Sequence, residues 1–243
     1  RQYVDFLVST MPVGLIGTDL HGKTVLDAVT NAGLPACYIT RTDTAPTAHT
    51  HVMTVPGDSR TFFYHPGTND LIDDSHIPIN ALAAAGVKLF YLGYINLMAA
   101  MDRLRPDGST AAVQVLARAR AAGMITCVDL VSTDSDSFRA TVAAALPHIN
   151  YLFLNEVEAA RSTGLPVAGE DDRNGLLAAA TALRNGGAGC VIIHTPALAL
   201  WLGDTAHWQA ATPADPAAIV SPVGGGRGLV KNQPDVHPES LWT

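Results

Sequence analysis

Short apolar runs alternate with longer Ala- and Leu-rich runs along most of the chain. The short runs predict strands at Val13–Ile16, Leu89–Leu92, Thr126–Asp129, Tyr151–Leu154 and Cys190–His194. Their hydrophobicity is nearly continuous, the pattern of strands buried on both faces of a parallel sheet. Helical spacing between them predicts helices at Lys23–Ala32, Ser109–Ala122, Phe138–Leu146, Glu156–Thr163 and Arg173–Asn185. Gly33, Gly123, Gly164 and Gly186 follow four of these segments and read as left-handed helix stops. Regular strand–helix alternation predicts an α/β sandwich with right-handed crossovers.

The stretch from Cys37 to Tyr64 breaks the rhythm. It is strand-like without an intervening helix. His49–Val55 alternates, Pro56-Gly57-Asp58 turns, and Arg60–Tyr64 runs back, which predicts a β-hairpin. Inserted early in an α/β domain, such a hairpin forms a lid over the C-terminal edge of the sheet, where ligands bind in open α/β folds. Tyr3–Val8 is already apolar and core-like, so the chain reads as entering mid-fold, with an N-terminal segment expected before it. From Gly228 onward, with Pro234 and Pro238, there is no periodicity and the tail reads as coil.

The chain has 243 residues, 48% hydrophobic and 15% charged, enough for one large core. Mean hydropathy is +0.19, yet no apolar run reaches membrane-spanning length. The net charge of −7, without a Lys/Arg cluster, argues against a nucleic-acid partner. Small anions remain compatible, because backbone amides hold them without net positive charge. Cys37, Cys127 and Cys190 all read as buried strand residues. Their odd number and wide spacing predict a reducing, cytoplasmic setting.

Several segments carry candidate chemistry. Ser221-Pro222-Val223-Gly224-Gly225-Gly226-Arg227 is a Gly-rich turn of the kind whose amides cradle phosphate. Asn155-Glu156-Val157-Glu158 stands where a buried strand passes into a helix. It reads either as an N-cap with favourable first-turn acids or as a magnesium and phosphate site. Gly14–Lys23 is a strand–turn–helix that fails the Walker spacing. His65-Pro66-Gly67-Thr68-Asn69-Asp70 reads as a turn or as a loop that hydrogen-bonds sugar hydroxyls. His49 and His51 share a strand face, but no third ligand stands at a metal-binding spacing. His194 reads as a structural strand-end residue, and no nucleophile elbow is present.

Taken in order, these pieces resemble the ribokinase-like (PfkB) carbohydrate kinase family from about Tyr3 to Arg227. Gly14, Gly17, Asp19 and Gly22 resemble its early GxxGxDxxG segment. Arg60-Thr61-Phe62-Phe63 is similar to its β-lid, and Gly67 and Asn69 to the GAN-like element that follows. Asn155, Glu156 and Glu158 match its N-x-x-E motif. Val191–Trp201 resembles a late strand pair, and Val223–Arg227 stands at the GAGD signature.

The resemblance implies a three-layer α/β/α, Rossmann-type domain over 1–227, with a β-lid at about 37–66 and an irregular tail at 228–243. It implies ATP-dependent phosphoryl transfer to a hydroxyl of a sugar or nucleoside. Asn155 and Thr195 would serve the nucleotide and its phosphates. Glu158 would hold Mg2+ through water, and Gly67 and Asn69 would lie near the substrate. The amides of Gly224, Gly225 and Gly226 would form the anion hole, and a homodimer through the β-lid is compatible. Arg227 replaces the family's catalytic Asp and cannot act as a base near neutral pH. The helix expected after the signature has no counterpart, which predicts a chain truncated at the front and frameshifted near Val223. A non-catalytic sugar- or nucleotide-binding member of the same fold is the second reading.

Overall fold

The computed structural model describes residues 10–54 and 61–211. Its centre is a six-stranded sheet. Strands β5 (Leu89–Ile95), β6 (Ile125–Leu130), β7 (Tyr151–Asn155) and β8 (Cys190–His194) run parallel in chain order. β9 (Leu198–Leu202) and β10 (Ala206–Ala210) add antiparallel at one end. The parallel strands are joined by α4 (Ala111–Ala121), α5 (Phe138–Ala145), α6 (Glu156–Thr163) and α7 (Arg173–Asn185), as the alternation predicts.

Residues in register share a face. Leu92, Val128, Leu152, Val191 and Leu154, Ile193, Leu200 are all buried, in one core with Leu116, Val142, Ala159, Leu176 and Leu183 of the helices. The opposite face differs from expectation. Leu89, Tyr91, Ile125 and Trp201 lie there and are exposed, while Tyr151 and Phe153 are half-buried and Tyr151 meets Trp201 ring to ring. Among the described residues the strands are therefore fully buried on one face only.

A second, two-stranded parallel sheet pairs β1 (Val13–Gly17) with β2 (Tyr38–Thr42) across α1 (Leu20–Asn31). The Cys37–Tyr64 stretch thus opens on a strand that pairs parallel with β1, ahead of the hairpin. The hairpin itself is β3 (His49–Met53) against β4 (Thr61–His65), antiparallel, with His49 opposite His65. Arg60 and the Pro56–Asp58 turn lie outside the described residues, as do Tyr3–Val8 and the tail. Two short helices, α2 (Ile79–Ala84) and α3 (Ala99–Asp102), were not anticipated.

The predicted loop at Gly67 is a 3-10 turn, Gly67–Leu71. Gly33, Gly123 and Gly164 take positive φ as expected, but Gly186 is right-handed and Gly187 turns the chain at φ 116°. Cys37 is exposed in a turn before β2, whereas Cys127 and Cys190 are buried free thiols whose burial raises their pKa. No described helix is long and apolar enough to cross a membrane.

Candidate functional site

The C-terminal ends of β6 and β7 hold the first cluster. β7 stops at Asn155 because Asn155 is the N-cap of α6. Its Oδ1 accepts the Glu158 amide proton at 2.8 Å, and Glu158 Oε2 accepts the Asn155 amide proton at 2.9 Å. This closed capping box satisfies two helix-end donors reciprocally. It leaves Glu158 only 4% exposed. The remaining oxygen, Oε1, accepts a hydrogen bond from Ser132 Oγ at 2.9 Å, and Asn155 Nδ2 donates to the same Ser132 oxygen at 3.4 Å. Ser132 lies in the loop leaving β6, so two neighbouring strand ends are tied together. The capping reading of Asn155 and Glu158 is thus realised.

The donor set also bears on metal binding. A carboxylate offers about four acceptor positions, and these bonds engage two at Glu158. Among the described residues no group of three or more His, Cys, Asp or Glu is arranged to hold a metal ion. A lone carboxylate suits Mg2+ held through its own waters, since that ion gives up its hydration shell reluctantly. It does not suit a direct cage.

Neighbouring strand ends carry further polar groups. His194 stands opposite Asn155 in register, and Asp129 opposite both Gly93 and Phe153. Tyr91 donates its hydroxyl to Asp129 Oδ2 at 3.2 Å. Burial, then the Asp129 charge, pushes the Tyr91 hydroxyl far above its usual range, so it remains a donor. Thr195 follows His194. Its hydroxyl donates toward Glu170 O at 2.6 Å and accepts the Ala197 and Leu198 amides at 3.1 and 3.0 Å. The hydroxyl therefore shapes the β8–β9 turn.

The second cluster joins β1, α1 and the lid. Asp19 caps α1 by accepting the Gly22 amide at 2.8 Å, and it grips Thr47 through both its hydroxyl (2.6 Å) and its amide (2.9 Å). These three bonds, the Thr47 hydroxyl first, hold the Asp19 carboxyl down at about 2. Thr47 Oγ1 also accepts the Gly17 amide at 2.8 Å. A Cβ at Gly22 would collide with the Gly17 carbonyl, so the helix meets the strand end only with glycine there. Gly67 sits at φ 46°, and a Cβ on it would strike the Pro46 carbonyl. The next residue, Thr68, donates its amide to that carbonyl at 2.9 Å and its hydroxyl to Leu15 O at 2.7 Å. Asn69 Nδ2 donates to the Tyr64 hydroxyl of the lid at 3.1 Å.

His49 stacks between His21 and His65, at ring separations of 4.5 and 5.0 Å, with His51 edge-on. His49 Nδ1 lies 3.0 Å from the Thr47 carbonyl and donates to it, which fixes that tautomer. The histidines form a lid-to-helix stack.

The structure thus gathers Asn155, Glu158 and Thr195 along one sheet edge, and Gly67 and Asn69 under the lid. Gly224, Gly225, Gly226 and Arg227 lie outside the described residues. Sequence reasoning missed Ser132, Asp129, Tyr91 and Thr47. Asp129 was readable as a polar strand end. Ser132 sits in a run of polar residues, Ser132–Ser137, where nothing singles it out.

The family model described as "pfkB family carbohydrate kinase" matches residues 5–226. No curated protein sequence matches the chain. Among solved structures, the chain is similar to Arabidopsis thaliana ribokinase complexed with ribose and ATP: 22% identity, TM-score 0.64, 88% of this chain and 64% of that one. Fructokinase from Xylella fastidiosa gives 18% identity and a TM-score of 0.64, over 87% of this chain and 64% of that one. Aminoimidazole riboside kinase from Salmonella enterica, complexed with aminoimidazole riboside and an ATP analog, gives 16% identity and a TM-score of 0.64, over 87% of this chain and 67% of that one. At these identities the likeness establishes a shared ribokinase-like fold, and the chain spans just under two thirds of the first two relatives' length. With the matched model covering nearly all of it, the chain belongs to the pfkB family of carbohydrate kinases.

Proposed function

We propose that this chain carries the phosphoryl-transfer site of a cytoplasmic carbohydrate kinase, which moves the γ-phosphoryl group of ATP to a hydroxyl of a sugar or nucleoside. The observation that carries the reading is the Asn155–Glu158–Ser132 cluster at a strand's C-terminal edge, inside the matched family region. The ribokinase and riboside kinase described above, crystallised with ribose and ATP and with a riboside and an ATP analog, support the substrate class.

In this reading Asn155 orients phosphate oxygens through its amide, and Glu158 fixes the water shell of Mg2+. When bound, the ion supplies neutralisation of the charge on the transferring group. Thr195, its hydroxyl engaged in the turn, serves the nucleotide by setting the backbone beside it. Gly67 and Asn69 border the acceptor beneath the lid. The amides of Gly224, Gly225 and Gly226 stabilise the developing charge.

One feature of the sequence favours a second reading, a non-catalytic binder of the same fold. On the sequence resemblance, Arg227 takes the position of the family's catalytic Asp. A general base contributes about 10²–10⁴-fold, and a guanidinium cannot replace it. The test is ADP release over a panel of sugars and nucleosides for the wild type and Arg227→Asp. Turnover that appears or rises in Arg227→Asp supports the kinase site with a disabled base. Turnover in neither, with sugar or nucleotide binding retained, supports the binder. Absence of both turnover and binding contradicts the proposal.

A further inference from the structure

Ser132 belongs to no motif, yet it is the side chain that fixes the second oxygen of Glu158. Oε2 is held by the Asn155 amide within the capping box, and Oε1 is held by Ser132 Oγ at 2.9 Å. Without the serine, the carboxylate keeps one anchor and rotates about the bond joining it to its side chain. The same serine oxygen accepts a hydrogen bond from Asn155 Nδ2 at 3.4 Å, so it also holds the face of Asn155 that the cap leaves unused. Ser132 is exposed whereas Glu158 is 4% exposed, so the hydroxyl is the solvent-side member of the cluster. It comes from the loop after β6, whereas its two partners come from the β7–α6 junction. The loop therefore communicates its position directly to the carboxylate.

We infer that Ser132 is a positioning residue: its hydroxyl sets the orientation in which Glu158 and Asn155 meet a hydrated Mg2+ and the phosphates of a nucleotide. The metal half of this inference rests on the kinase reading, while the orienting half stands on the hydrogen bonds alone. The chemistry is hydrogen bonding only, with no bond made or broken. A serine in this place has a second consequence. Its hydroxyl can turn its proton toward Oε1 while the oxygen accepts from Asn155, so one small group serves both side chains at once.

The experiment compares the wild type, Ser132→Ala and Ser132→Thr in two measurements. The first is hydrogen exchange of the Asn155 amide, which donates to Glu158 Oε2 and needs no ligand. The second is the Mg2+ concentration that half-saturates its effect on ATP binding, followed by calorimetry. Outer groups that orient ligating side chains are worth roughly 10–100-fold in metal affinity. Because the contact here runs through water, about tenfold weaker Mg2+ dependence is expected for Ser132→Ala. Asn155 exchange becomes faster, ATP affinity falls less without Mg2+ than with it, and Ser132→Thr restores both properties. Unchanged Asn155 exchange in Ser132→Ala overturns the inference. So does tighter Mg2+ dependence, which would make the serine a competitor of the ion. Faster exchange in a protein whose ATP binding ignores Mg2+ upholds the positioning role and counts against the kinase reading instead.

Discussion

Asp102 carries a conflict that one substitution exposes. Its Oδ2 accepts the Met98 amide at 2.8 Å, but its buried Oδ1 has no hydrogen-bond partner among the described residues. Burial raises its pKa to about 6, against the pull of the amides of Asn96, Met98 and Leu97. The folded protein therefore binds this proton more tightly than the unfolded chain does. The contribution is full below the unfolded value of 3.8 and is lost as pH rises through about 6. Asp102→Asn keeps an acceptor for Met98 and carries no charge. It is expected to gain up to about 3 kcal/mol at pH 8, from a shift of about two units, and little at pH 4. Urea unfolding at the two pH values checks this, and an equal gain at both would place the effect in packing instead. Asp19 is the opposite case, since its depressed pKa supports the fold above about 4 and loses that support toward about 2.

At the scale of elements, Gly67 is the joint between lid and sheet. Its left-handed φ of 46° and the Pro46 carbonyl both exclude a side chain. Gly67→Ala is expected to destabilise the protein by roughly 1–3 kcal/mol and to speed exchange of the Thr68 amide. Full stability in thermal unfolding would show that the 3-10 turn repacks. The same region marks how far sequence reading reached. The ends of α6 were legible because a cap and a Gly stop bound it, Asn155 and Gly164. The pairing of β2 was not legible, because an extended run followed by polar residues looks the same whether it pairs parallel or antiparallel. α2 and α3, of six and four residues, are too short to show a helical period. The N-x-x-E motif could be found, and so could its capping role. Ser132 could not, because its contact joins a loop residue to a helix residue 26 positions away.

The whole molecule leaves two apolar surfaces uncovered among the described residues. One is the sheet face bearing Tyr91, Ile125 and Trp201. The other is the lid, where Met53, Phe62 and Phe63 are 60%, 58% and 55% exposed. Adjacent strand residues point to opposite faces, so Phe62 and Phe63 expose both sides of the hairpin. One side can cover the protomer's own site while the other pairs with a second copy, and we propose a homodimer through the lid on that basis. Phe62→Glu with Phe63→Glu is expected to shift the sedimentation coefficient to that of a monomer. A wild type that sediments as a monomer at all concentrations removes the proposal.

In the proposed kinase the sheet edge at Asn155 and Glu158 receives nucleotide phosphates. A crystal structure grown with Mg2+ and a non-hydrolysable ATP analog tests it most directly. Phosphate density is expected beside Asn155, with an ion joined to Glu158 through water and the nucleotide near Thr195 and Pro196. Phosphate density at another edge of the sheet, or none beside Asn155 in protein that binds the analog, would contradict it.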